Sequence, residues 1–168
     1  MTDKEESANQ AFKFQLEMFK QEIDTINRTI SRFDEHARAT RNWAIVTWAG
    51  SIALILGENT LHNYLYVTAF VPLLFWLVDA RWVSSLRKFL YRQSKISEFL
   101  NSDIYWKSFE EKKVLNFTVY DPSGSRYKQT KEFRKYTNIF RSATKYLEVS
   151  AFYIGMIILS IAISILLG

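Results

Sequence analysis

Three stretches without a charged residue set the main constraint on this chain: Trp43 to Leu56 (WAIVTWAGSIALIL), Tyr64 to Val78 (YLYVTAFVPLLFWLV) and Val149 to Leu167 (VSAFYIGMIILSIAISILL). A hydrocarbon core about 30 Å thick takes roughly 20 helical residues to cross, so the third block is long enough by itself. The first two need their flanks, 42–58 and 63–83. The sequence therefore predicts a mainly α, integral membrane fold with three transmembrane helices: a hairpin within 42–83 and a third helix within 146–168. A buried core helix is the competing account of the first and shortest block. Three such helices in water, however, would need more polar cover than the rest of a chain of 168 residues supplies. What precedes Trp43 lacks the basic-then-apolar pattern of a cleaved leader and is read as retained.

Lys and Arg near the ends of spans are held on the cytoplasmic side, and here they are unevenly spread. Residues 1–41 carry seven, the connection 57–63 carries none, and residues 81–145 carry fifteen. The amino-terminus and the region 84–145 are therefore expected inside, with 57–63 as a short external turn and Gly168 at the outer face. This is a multi-pass topology. Residues 81–145 set fifteen cations against six acidic groups, whereas 1–41 set seven against eight, so the net charge of +5 originates in one connection.

Before the first apolar block, Phe12, Leu16, Phe19, Ile23, Ile26, Ile30, Phe33 and Ala37 recur with gaps alternating between 4 and 3. A strict seven-residue repeat favours coiled-coil packing over an isolated surface helix, and bulky Phe and Ile in one seam fit three or four strands better than two. Residues 1–41 are thus expected to form an amphipathic, coiled-coil helix, with Leu16, Phe19, Ile23, Ile26, Ile30 and Phe33 as oligomerisation residues. The same stripe also suits packing on the chain's own helices or lying at a bilayer surface.

Within 84–145, Leu86, Phe89, Leu90, Ile96 and Leu100 keep helical spacing to about Asn101. Leu115, Phe117 and Val119 then alternate with Asn116, Thr118 and Tyr120, which reads as a strand with one covered face. Asp121-Pro122-Ser123-Gly124 is a turn signature, and a return over 125–129 would complete a small β-hairpin in a basic cytoplasmic insert. Cations interleaved with aromatics are the combination that binds nucleotides or single-stranded nucleic acid, by phosphate neutralisation and base stacking. Arg126, Tyr127, Lys128, Lys131, Arg134 and Lys135 are the candidate ligand residues, with anionic membrane lipid as the competing partner.

On the third block, Tyr146, Ser150, Tyr153, Ser160 and Ser164 fall on one face at helical spacing. A hydroxyl stripe lines a wet pore or bonds to a neighbouring helix, so Tyr153, Ser160 and Ser164 are candidate pore residues. Asp79, at the inner end of the second block, needs a basic partner such as Arg38, Arg41 or Arg81 and is a candidate gate latch. The chain has no cysteine, which excludes disulfides and thiolate chemistry, and its two histidines, His36 and His62, fall on opposite sides of the first block. With no phosphate loop, metal-ligand spacing or serine elbow, neither an enzyme nor a cofactor is expected.

TRNWAIVTWAGSIALIL (40–56) and DARWVSSLRKFLYRQSKISEFL (79–100), in the order amphipathic helix, two short spans, basic helix, resemble the SLATT group of small bacterial membrane effectors. The resemblance covers roughly Phe12 to Leu100. It implies a homo-oligomeric pore in the bacterial inner membrane, acting in antiphage defence by abortive infection and controlled by a nucleotide signal from a partner nucleotidyltransferase. The Hailong-type effectors, tetramers regulated by a DNA oligomer, are similar in size. This chain departs from the two-span plan after Asn101. The alternative from another class is a non-channel membrane scaffold that binds a cytosolic protein through its heptad helix.

Overall fold

The structure, a computed structural model, describes residues 3–145 and 147–167; Tyr146 and Gly168, both invoked above, lie outside the described residues. Helix α1 runs Asp3–Leu56, its apolar stripe unbroken by proline, and stops just before Gly57. A 3-10 segment, Asn59–Ala69, leads into α2, Phe70–Leu100. Pro72 falls in the first turn of α2, the part of a helix that tolerates proline. Ser102 caps α3, Asp103–Glu110, by accepting the Tyr105 N–H. A short 3-10 turn, Ser125–Tyr127, precedes α4 (Lys131–Tyr136), α5 (Ile139–Lys145) and α6 (Leu147–Leu167).

The chain folds into two compact units, and α1 and α2 contribute to both. One unit combines α1 up to Arg32 with Leu86–Tyr136. Its core is Phe12, Phe19, Ile26, Ile96, Phe99 and Leu115. Phe99 stacks on Phe117 at 4.3 Å, and Phe19 meets both rings edge-on. Burying each large apolar side chain of this kind contributes about 1.5–3 kcal/mol. The heptad stripe is thus covered by the chain's own α2, α3 and the segment after it: Phe12, Phe19 and Ile26 are buried, while Leu16, Ile23 and Ile30 pack at the edge of the same core. Phe33 belongs to the other unit, where its ring lies 5.8 Å from that of Trp82.

The predicted hairpin is not formed, and among the described residues there is no strand. Residues 113–121 have no ladder partner, and helix side chains instead bond the backbone at Leu115, Thr118, Tyr120 and Asp121. Gln15 does so at Leu115 with both ends of its amide: Oε1 accepts the Leu115 N–H at 2.6 Å and Nε2 donates to the Leu115 carbonyl at 2.8 Å. Glu22 accepts the N–H groups of Tyr120 and Asp121, and Arg92 donates to the Thr118 carbonyl. The alternation does mark which face is covered, since Leu115, Phe117 and Val119 all pack on the core. It carries no information about what pairs with the main chain.

The second unit holds Phe33–Ser85 together with the chain from Thr137 onward. Ala44, Val149 and Tyr153 form its centre, with Phe75, Trp76, Val83 and Phe152 around them. Two helical stretches among the described residues are long and apolar enough to cross a membrane, one within Thr60–Leu100 and the other Val149–Leu167. The three-helix expectation is corrected on this point. The apolar block Trp43–Leu56 is the last part of α1. Its fourteen residues rise only about 21 Å, short of a hydrocarbon core of about 30 Å, and Arg41 and Glu58 close it at either end. Trp43, Val46 and Leu54 on this block are exposed.

Candidate functional site

The turn after the irregular segment is built around Asp121. The Gly124 N–H donates to the Asp121 carbonyl, Asp121 Oδ1 accepts from the Ser125 N–H and hydroxyl, and Oδ2 accepts the Arg126 N–H. Partial burial opposes the charged form of Asp121, but the Ser125 and Arg126 donors and the nearby Arg92 outweigh it and leave the carboxyl below its ordinary range. Gly124 sits at φ +61, where glycine carries no steric penalty, and a Cβ there would come within 3.3 Å of the Phe133 ring, so the site favours glycine. Thr130 then opens α4 by accepting the Phe133 N–H.

This arrangement holds Arg126, Lys128, Lys131, Arg134 and Lys135 exposed along one run of chain. Arg134 Nε donates to the Lys128 carbonyl, fixing two of these residues against each other. Among the described residues none of the five pairs with a carboxylate. The acid between them, Glu132, accepts a hydrogen bond from the Tyr91 hydroxyl at 3.0 Å. The result is a ridge of five unneutralised cations, an electrostatic site for a polyanion.

Tyr127 does not join that ridge as a stacking surface. Its ring meets Tyr91 edge-on at 5.5 Å and its hydroxyl accepts from Arg92 Nη1 at 3.3 Å. Beneath it lies an ion pair with no solvent exposure on either side, Arg92 with Glu22, made through two contacts of 2.7 and 3.1 Å. Sequence reasoning missed both residues. Their signal was their position on apolar faces: Glu22 falls between Phe19 and Ile26, and Arg92 between Phe89 and Ile96, at helical spacing. A charge inside such a face needs a partner of opposite sign.

In the other unit Asp79 is buried and accepts from Arg41 Nε at 2.9 Å and from the Tyr153 hydroxyl at 3.4 Å, while its Oδ1 has no partner. Ser160 is buried, accepts from Trp48 Nε1 at 2.7 Å and donates to the Met156 carbonyl. Ser150 donates to the Ala143 carbonyl. The described part of the hydroxyl stripe, apart from the half-buried Ser164, is thus engaged with other elements of the same unit. Among the described residues no cluster of His, Cys, Asp or Glu is arranged to hold a metal ion. Comparison of the chain with known protein families, with characterised proteins and with solved structures finds no match.

Proposed function

We propose that the chain is a membrane effector controlled by a phosphate-bearing ligand, a nucleotide or short single-stranded oligonucleotide, that binds the ridge Arg126, Lys128, Lys131, Arg134 and Lys135. The observation that carries this reading is five exposed cations with no acidic partner, whose mutual repulsion a polyanion would offset. Two helical stretches suited to crossing a membrane give the chain its anchorage. The concentration of Lys and Arg in 81–145 favours the cytoplasmic side for the ridge. The SLATT resemblance supplies the rest of the proposal: a homo-oligomeric, tetrameric pore of the bacterial inner membrane in antiphage defence, with the ligand made by a partner nucleotidyltransferase.

Full-length protein in detergent, titrated against labelled single strands by fluorescence anisotropy, tests the ligand. Affinity should fall steeply with salt, because each neutralised phosphate releases counterion. Joint replacement Lys131→Glu, Arg134→Glu and Lys135→Glu should abolish binding. Equal affinity for the wild type and the triple variant, or none for either at low salt, refutes the reading.

One observation favours a second reading, a non-channel scaffold: Tyr153 and Ser160, two of the three hydroxyls that would wet a pore, and Ser150 on the same stripe are hydrogen-bonded to the chain's own groups. Planar-bilayer recordings separate the two. Ion current that responds to an oligonucleotide supports the effector, and silence under every ligand condition supports the scaffold.

A further inference from the structure

Three described residues have a left-handed backbone, Lys112, Tyr120 and Gly124, and only two of them have a local reason for it. Lys112 closes α3: the Lys113 N–H donates to the Ser108 carbonyl at 3.0 Å and the Lys112 N–H to that of Phe109 at 3.4 Å. This is the cap in which a residue after the last turn turns left-handed. Gly124 adopts its turn without steric penalty. Tyr120, at φ 68, ends no helix, and an aromatic residue in that region is a strained outlier of the kind that persists only where the surroundings over-determine it.

What over-determines it is the buried carboxylate of Glu22. The Tyr120 N–H donates to Oε2 at 2.7 Å and the Asp121 N–H to Oε1 at 3.0 Å, two consecutive amides closing on one anion that Arg92 holds from the other side. The consequence is directional. Leu115, Phe117 and Val119 turn inward, whereas Tyr120 is 54% exposed and among the described residues has no ring partner. Tyr127 and Tyr136, nearer the ridge in sequence, have rings already engaged by Tyr91, and Arg87 also lies over Tyr136. Tyr120 is also tied to the ridge, because Asp121, the next residue, binds the Ser125 and Arg126 N–H groups and so fixes the first cation against the strained backbone.

We propose that Tyr120 is the stacking platform of the ridge, taking a nucleobase while the cations take the phosphates. The inference rests on the reading of the ridge as a nucleotide site, and it moves the aromatic contact from Tyr127 to Tyr120. A strained, exposed ring joined through Asp121 to the first of the unpaired cations suits a ligand that is both planar and anionic, since stacking is sequence-tolerant and adds to phosphate neutralisation.

The test compares two labelled ligands on full-length protein in detergent: a short thymidylate strand and an abasic strand of equal length. Tyr120→Gly removes the ring and relieves the backbone. It should weaken the thymidylate strand by about tenfold or more. It should leave the abasic strand unchanged and leave the thermal midpoint unchanged or higher. Tyr120→Trp should keep the wild-type preference for bases. Wild-type thymidylate affinity in Tyr120→Gly, while the triple glutamate variant loses it, overturns this inference and spares the ridge. An equal loss for both strands also overturns it, because a base contact cannot affect a strand without bases. If the wild type binds neither strand, or the triple variant binds both normally, the ridge reading falls and this inference with it.

Discussion

Glu22 on α1 and Arg92 on α2 stand 70 residues apart in sequence, yet they meet in a two-point pairing from which solvent is excluded, Nε to Oε1 at 2.7 Å and Nη2 to Oε2 at 3.1 Å. The pair also holds the irregular segment through Thr118, Tyr120 and Asp121, so it joins three pieces of chain at one point. Removing one member strands the other charge in the interior, at a cost of about 3–5 kcal/mol. Arg92→Met should therefore lower the denaturation midpoint sharply when helicity is followed by circular dichroism in detergent. Glu22→Leu with Arg92→Leu should cost less than the two single changes together, although the orphaned amides of Tyr120 and Asp121 keep it from being neutral. A wild-type midpoint for Arg92→Met would show that the pair does not clamp the unit.

Gln15 does for Leu115 what a neighbouring strand would have done, and the effect of its loss can be measured locally. Gln15→Leu fills similar volume but leaves both the N–H and the carbonyl of Leu115 without their side-chain partner. Each unsatisfied buried group costs about 1–3 kcal/mol. Amide exchange at Leu115 should accelerate in the variant, while exchange within α2 near Ile96 changes little. Unaltered protection at Leu115 would mean that something other than Gln15 holds this segment.

These two cases also explain how far the sequence could be read. Periodicity reports which face of a segment is covered, and it did so for Phe12, Phe19 and Ile26 and for Leu115, Phe117 and Val119. It does not report by what: the heptad fits a second chain as well as α2, and the alternation fits a ladder as well as Gln15 and Glu22. Tyr127 looked like a free ring beside cations because Arg92 and Tyr91, its partners, are remote in sequence. The first apolar block shows the same limit in another form, since absence of charge in Trp43–Leu56 does not supply the missing length. The exposed cations from Arg126 to Lys135 were legible because an unpaired surface charge needs no partner to be recognised.

Asp79 and Arg41 are unequal members of a pair: the carboxylate is fully buried, whereas the Arg41 side chain keeps 32% exposure. The two single variants should therefore differ. Arg41→Met leaves a buried negative charge whose Oδ1 already lacks a partner, supported only by the Tyr153 hydroxyl. Asp79→Asn removes the charge and leaves Arg41 able to reach solvent. Thermal stability in detergent, read by fluorescence-detected size exclusion, should fall further for Arg41→Met than for Asp79→Asn. Adding Asp79→Asn to Arg41→Met should recover most of the loss. The reverse order would show that Arg41, not Asp79, bears the desolvation cost.

Asp121 gives a prediction in pH. Burial works against its ionised form, but the Ser125 N–H and hydroxyl, the Arg126 N–H and the field of Arg92 more than compensate, so its folded pKa lies below the ordinary value of 3.8. A depressed pKa means that the folded state binds the proton less readily than the unfolded chain. The stabilisation is therefore complete above the unfolded pKa and is lost as pH falls through the folded one. Asp121→Asn cannot ionise, so the difference in thermal midpoint between it and the wild type isolates this group from the other carboxylates. That difference should be constant from neutral pH down to about 5 and should then shrink as the solution becomes more acidic than the ordinary carboxylate range. Because the turn that Asp121 ties carries Arg126 and follows Tyr120, the wild type should lose affinity for a single strand over the same acidic interval. A midpoint difference that stays flat to the lowest pH tolerated would mean that Asp121 acts as a neutral hydrogen-bond acceptor, with no part for its charge.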